Sequence, residues 1–205
     1  MSGRFITFEG IDGAGKSTQI AAAVALIAGR GIQVVQTREP GGTPLAEKLR
    51  ELALHEPMHL ETEALVMFAA RREHLAAKIE PALSAGQWVV CDRFSDATYA
   101  YQVGGRGLAA EKFAVLEQWV HPHRQPDLTF LFDLDPAIAT ARMAASRSEG
   151  DRFEREQADF FARVRAAYLA RARDCSARFH VLDATRTPDD IQREVKAVIQ
   201  ERFFA

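Results

Sequence analysis

The run Gly10-Ile11-Asp12-Gly13-Ala14-Gly15-Lys16-Ser17-Thr18 carries the densest chemistry in the chain. It has the spacing of a phosphate loop, with one glycine, four residues, then Gly-Lys-Ser. Glycines let the backbone wrap an anion and turn N–H groups toward it, and a following helix adds its positive end. Lys16 would then reach the terminal phosphates, and the Ser17 hydroxyl would ligate Mg²⁺. Residues Gly10 to Thr18 are therefore predicted to bind a nucleotide. The apolar run Phe5 to Glu9 supplies the strand that must lead into the loop.

A second run narrows the chemistry. The apolar stretch Val89-Val90-Cys91 ends in Asp92-Arg93, so an arginine stands where ATPases that activate water usually carry a glutamate. Arginine grips a phosphate through paired donors. A phosphate dianion is already nucleophilic and needs no general base, so transfer reduces to alignment and charge neutralisation. GTPases are excluded, because the chain contains no asparagine and so no guanine-reading Asn-Lys-x-Asp.

These residues need a frame. Continuous apolar runs at Phe5 to Glu9, Gln33 to Thr37, Trp88 to Asp92, Leu128 to Asp133 and Phe179 to Leu182 alternate with helical patterns, which predicts five parallel strands covered on both faces. Thr43-Pro44, Asp135-Pro136 and Thr187-Pro188 mark helix starts. One long helix is predicted from about Leu60 to Ala85 and another from about Phe153 to Arg173. The stretch Arg142 to Gly150 breaks the periodicity and reads as a lid.

The 205 residues fit one domain, and 47% hydrophobic with 26% charged residues is a globular mixture. A net charge of −2 gives no reason to expect nucleic acid. The longest apolar stretch, Ala21 to Ala28, is too short for a membrane span, and the N-terminus lacks a signal-peptide pattern, so a cytoplasmic protein is expected. Cys91 and Cys175 are expected to be reduced thiols. His121-Pro122-His123 has metal-pair spacing but no accompanying ligands, and reads as a surface loop.

With these motifs the chain resembles the thymidylate kinase family, from about Phe5 to the last helix. The markers are Phe8-Glu9-Gly10, Thr37-Arg38-Glu39-Pro40-Gly41-Gly42-Thr43, Phe68-Ala69-Ala70-Arg71, Asp92-Arg93-Phe94, Ala100-Tyr101-Gln102 and Asp151-Arg152-Phe153-Glu154. The resemblance implies a three-layer α/β phosphate-loop fold with strand order 2-3-1-4-5 and a small lid over about 142–153. It also implies phosphoryl transfer from ATP, with Mg²⁺, to dTMP on a homodimer. Two rivals remain: another nucleoside monophosphate kinase, and a regulatory protein that binds ATP without catalysis.

Residue roles follow from the same resemblance. Arg93 and Arg50 would clamp the dTMP phosphate, though Arg50 could equally pair with Glu47 or Glu51. Glu39 would stand near that phosphate and Mg²⁺, or be a charged turn residue. Phe68 would stack on thymine, against the alternative of core packing, with Arg71 favoured over Arg72 to reach a base carbonyl. Thr98 and Gln102, one helical turn apart, could face the base edge. Tyr101 would lie against the sugar, with plain packing the competitor for it and for Tyr99. Asp12 would approach the acceptor sugar and orient the adjacent arginine. The segment Val181 to Thr185 would touch adenine through its backbone.

Eukaryotic-type members follow that aspartate with arginine, whereas here Gly13-Ala14 follows. The catalytic cation is therefore expected from the lid, as in the bacterial type, from Arg152, Arg147 or Arg142. Eight arginines (142, 147, 152, 155, 163, 165, 171 and 173) and no lysine lie between Arg142 and Arg173. Those beyond Arg155 read as a solvated helix face.

Overall fold

The structure, a computed structural model, describes residues 3–144, 153 and 158–204. Five strands, β1 (Phe5–Glu9), β2 (Val34–Arg38), β3 (Trp88–Asp92), β4 (Leu128–Asp133) and β5 (Phe179–Asp183), form one sheet in the order β2-β3-β1-β4-β5. Every pairing is parallel. All five residues of β1 are buried, as an apolar run covered on both faces requires. Phe8 packs on Phe130 and Phe132 at ring distances of 5.2 and 6.0 Å.

The described helices are α1 (Lys16–Ala28), α2 (Pro44–His55), α3 (Leu60–His74), α4 (Glu80–Ser84), α5 (Ser95–Thr98), α6 (Ala110–Val120), α7 (Pro136–Ala144), α8 (Ala158–Asp174) and α9 (Pro188–Phe204). The expected starts hold: the side chains of Thr43, Asp135 and Thr187 accept from Ala46, Ala137 and Asp190 backbone N–H groups. The long helix predicted over 60–85 runs as α3, a π turn at Leu75–Ile79 and α4. Pro81 supplies a reason, since its ring lacks an N–H and crowds the carbonyl four residues back, and a widened turn there relieves both.

A second π segment, Tyr99–Gly105, follows α5 and lies on α8. A Cβ on Gly104 would sit 2.3 Å from the Ala167 Cβ, so only glycine permits this approach. Of the four arginines on α8, Arg163 and Arg173 are exposed as expected, while Arg165 and Arg171 are half-buried and differ from a solvated face. Arg165 grips Asp133 at 2.6 and 3.0 Å, Arg163 donates to the Gly105 carbonyl at 2.9 Å, and Arg171 binds Asp96 at 2.9 Å. They fasten α8 to the sheet edge and to the π segment. The predicted helix start at Phe153 also differs, because Phe153 stands in a buried turn.

The chain leaves β1 for β2 and β3 on one side and returns to β4 on the other. The crevice at the carboxyl end of β1 is thus the topological switch point where such sheets bind ligands. The registers Phe8↔Asp92 and Arg38↔Asp92 bring the ends of β1, β2 and β3 to the same edge.

Candidate active site

A cavity of about 520 Å³ opens at that edge. Its phosphate end is lined by Asp12, Gly13, Gly15, Lys16, Ser17 and Thr18. Gly15 caps α1 at φ 87°, the first turn of α1 carries no acidic residue, and no side chain caps it. Those N–H groups face the cavity as an anion site. Lys16, 6% exposed, folds back and donates to the Gly10 and Ile11 carbonyls, each at 3.0 Å. Burial and then the nearby Arg93 push its ammonium below the ordinary lysine range. Gly10, Ile11 and Ala14 build the loop from behind and do not line the cavity.

Arg93 sits across from Lys16 in a left-handed backbone conformation, φ 70°. Its guanidinium donates to Asp12 Oδ1 at 3.0 Å and to the Tyr168 hydroxyl at 3.2 Å, and lies 5.1 Å from the Tyr101 ring. Behind it stands a residue that the Phe8-Glu9-Gly10 motif contains without assigning it a role. Glu9 is fully buried, accepting from Phe94 N–H at 2.7 Å and from the Tyr168 hydroxyl at 2.9 Å. It therefore braces both ends of the strained Arg93. Burial first, then Asp96, raises its carboxyl to about 8.

That raised value has a measurable consequence. Between about pH 4.5 and 8 the unfolded chain ionises Glu9 while the folded protein keeps its proton, so folding stability contributed by this group falls as pH rises. Relative to Glu9→Gln, wild-type stability should fall by up to about 1.4 kcal/mol per pH unit over that range and level off above it. Denaturant unfolding of both proteins from pH 5 to 9 checks this; parallel profiles would sink it.

The opposite end of the cavity is built around Glu39 and Arg71, 4% and 3% exposed. Glu39 Oε2 accepts from Arg71 Nε at 2.8 Å, and its Oε1 lies 3.0 Å from His74 Nδ1, whose Nε2 is 2.7 Å from Thr37 Oγ1. Burial would raise the Glu39 carboxyl, but Arg71 and His74 hold it below its ordinary value. Arg71 Nη2 donates to Thr98 Oγ1 at 2.9 Å. Arg71 Nη1 and the Tyr101 hydroxyl are buried with no hydrogen-bond partner among the described residues, though both residues line the cavity. Gln102 completes this wall.

Phe68 lies just behind the wall, its ring centre 4.7 Å from the guanidinium carbon of Arg71. It is 1% exposed, off the cavity wall, and packs 5.5 Å from the Phe113 ring and 6.2 Å from His121. Its neighbour Met67 lines the cavity with Leu54, Pro40 and Ala97. His121 is buried in that same core, contrary to the surface loop expected, and burial followed by Arg71 lowers its ring to about 4. Of the two arginines on α3, Arg71 reaches the cavity while Arg72 bonds Glu80 and the Val120 carbonyl. Arg50 lines the cavity and donates to the Pro40 carbonyl at 3.0 Å, whereas Glu47 goes to Arg38 and Glu51 to His55.

Arg142 and Met143, at the end of α7, and Phe153 also line the cavity. Arg142 Nη1 donates to the Ala184 carbonyl at 3.0 Å, within the segment expected near adenine. Arg147 and Arg152 lie outside the described residues. Asp92 joins the site as a residue the sequence reading passed over. It lines the cavity near enough to Lys16 to act on its charge, and its Oδ1 is buried without a hydrogen-bond partner among the described residues. A carboxylate ending a central strand was the available signal.

The geometry agrees with comparisons to known proteins. A model of the thymidylate kinase family matches residues 8–195. A protein named thymidylate kinase from Methylobacillus flagellatus is 60% identical over 201 residues, covering 98% of each chain. Namesakes from a Janthinobacterium species and from Bordetella pertussis are 59% and 56% identical over 198 and 199 residues, covering 97% of this chain and 97% and 95% of theirs. With the match spanning the phosphate loop, the Arg93 clamp and the Arg71 wall together, the chain belongs to the thymidylate kinase family.

Proposed function

We propose that the chain transfers the terminal phosphoryl group of ATP to dTMP, giving ADP and dTDP. The observation that carries this reading is one continuous cavity with a phosphate loop at one end and the buried, unsatisfied Arg71 donor at the other, Arg93 standing between them. ATP phosphates take the N–H groups of the loop, and Lys16 exchanges the Gly10 and Ile11 carbonyls for them. Arg93 and Arg50 hold the acceptor phosphate, with Asp12 and Tyr168 aiming Arg93. Arg71, Thr98 and Gln102 take the base edge, and Tyr101 the sugar. Mg²⁺ supplies neutralisation of phosphate charge when bound. Ser17 and Asp92 fit it, because both are oxygen donors lining the cavity and the Asp92 Oδ1 is an orphaned buried acceptor.

An ADP-release assay across dTMP, dUMP, UMP, CMP and AMP tests the proposal. We expect dTMP to be the best acceptor and dUMP weaker, since a methyl-sized difference in an apolar pocket contributes about 1–3 kcal/mol. A better rate with CMP or AMP would overturn it.

Met67 lines the cavity while Phe68 stands behind it, which supports Met67 as the apolar wall, and the mutants should separate accordingly. Met67→Ala is expected to raise the Michaelis constant for dTMP about ten-fold or more with little change for ATP. Phe68→Ala should instead destabilise the protein by about 3–5 kcal/mol through a core cavity. Thermal unfolding and acceptor kinetics of the two variants distinguish the roles; a selective dTMP defect in a stable Phe68→Ala protein would return that ring to the site.

The family resemblance also supports a homodimer. Leu45 and Leu52 on α2, Leu65 on α3, and Val115 and Trp119 on α6 are exposed apolar side chains on helices that pack on one another, Trp119 being 78% exposed. Light scattering should give twice the chain mass, and Trp119→Asp should shift the protein toward monomer; a monomeric wild type would overturn this. We place the reaction in the cytoplasm, in keeping with free Cys91 and Cys175. No described helix is long and apolar enough to cross a membrane.

A further inference from the structure

Glu63 lies on α3 one helical turn before Met67 and is 1% exposed. Its Oε1 accepts from Gln102 Nε2 at 2.8 Å, and Arg106 Nε stands 3.1 Å from the same oxygen. A side-chain amide is ambivalent, because turning it end for end exchanges a donor for an acceptor at nearly unchanged shape. A carboxylate removes that ambivalence, since it only accepts. Glu63 therefore draws the amide NH₂ toward itself, which leaves the Gln102 carbonyl oxygen for the cavity that Gln102 lines.

Arg71 is fixed in a comparable way. Glu39 takes Nε and Thr98 takes Nη2, and the buried Nη1 has no hydrogen-bond partner among the described residues. The cavity wall thus offers one donor, from Arg71, and one acceptor, from Gln102. Their complement is an imide edge, a ring carbonyl beside a ring N–H, as thymine and uracil present. Cytosine presents an amino group beside a bare ring nitrogen and is mismatched at both positions. A buried polar pair left unsatisfied in this way costs far more than a missing methyl contact.

We propose that Glu63 is the positioning residue that sets the polarity of Gln102 and so makes the site select an imide pyrimidine over an aminopyrimidine. The inference rests on the cavity being the dTMP site. Glu63 acts through Gln102, not on the substrate, so its signature is base preference and not loss of transfer.

The test compares kcat/KM for dTMP and dCMP in wild type, Glu63→Gln, Gln102→Leu and the double variant. Glu63→Gln keeps the shape but removes the obligatory acceptor. It should reduce the dTMP-to-dCMP ratio about ten-fold, mainly through the Michaelis constant for dTMP. In the Gln102→Leu background the same change should move the ratio less than about two-fold, because coupled residues are non-additive. Equal effects in both backgrounds would make Glu63 a merely structural group and overturn the proposal. If Glu63→Gln does not fold, Glu63→Leu/Arg106→Leu, which removes both charges together, is measured with the same expectations. Failure of the wild type to use dTMP would instead overturn the functional reading.

Discussion

Lys16→Ala is expected to lower turnover by about a thousand-fold or more while the melting temperature stays close to that of wild type. The lysine belongs to the loop proposed to receive the transferring phosphate, and phosphoryl transfer spreads negative charge over three equatorial oxygens. Losing one preorganised donor to developing charge costs about 10²–10³ in other enzymes, and here the donor carries a full charge. Stability should respond weakly. Burial already holds the ammonium below the ordinary lysine range, so its removal also removes a desolvated charge. The Gly10 and Ile11 carbonyls that lose it lie behind Lys16, which lines the cavity, so water that takes the place of its side chain reaches them. An ADP-release assay beside a thermal scan decides the matter: a folded Lys16→Ala protein with normal turnover would remove Lys16 from the reaction.

The phosphate end was legible because its chemistry is local. Nine consecutive residues specify loop, helix start and anion site, and the strand before them reads as a buried run. The sheet order is part of what the family resemblance implies, and the observed sheet agrees with it. The base end depends on helix rotation, where one residue is a turn of about 100°. Met67 and Phe68 are both apolar neighbours, and periodicity alone does not say which faces the cavity. That choice is made by Phe113 and His121, far away in sequence, which claim the Phe68 ring.

Pairs across long separations were equally hidden. The Gln102–Glu63 bond joins residues 39 apart, and the Tyr168–Glu9 bond spans 159. Arg165 and Arg171 of α8 read as solvated because their partners Asp133 and Asp96 come from the sheet and from α5, and no pattern within the helix reports them. Asp92 was visible in type and place, yet its role depends on an oxygen left without a partner, which only the packed structure shows.

On our proposal that the transition-state cation comes from the stretch 142–153, removing it should have an effect as large as removing Lys16. Gly13 at φ 80° abuts α7, where a Cβ would meet the Ala139 carbonyl at 2.8 Å, so the loop position that carries arginine in eukaryotic-type members cannot hold one here without moving α7. In the proposed reaction, transition-state charge is then left to Lys16, Mg²⁺ and the stretch 142–153. Among the three candidates, Arg142 is tethered to the Ala184 carbonyl beside the segment expected near adenine. Its replacement by alanine should act mainly on the Michaelis constant for ATP. Arg152→Ala, and otherwise Arg147→Ala, is expected to lower turnover by about 10³–10⁵, the range of arginine fingers in related chemistry, with dTMP affinity nearly unchanged. Arg152 is preferred because Asp151 and Glu154 flank it closely in sequence and offer carboxylates to orient a guanidinium. Turnover and dTMP dissociation constants for the three single variants test the assignment. Near-normal turnover in all three would show that the cation comes from outside the lid, and a large dTMP affinity loss in Arg152→Ala would make it an acceptor clamp instead.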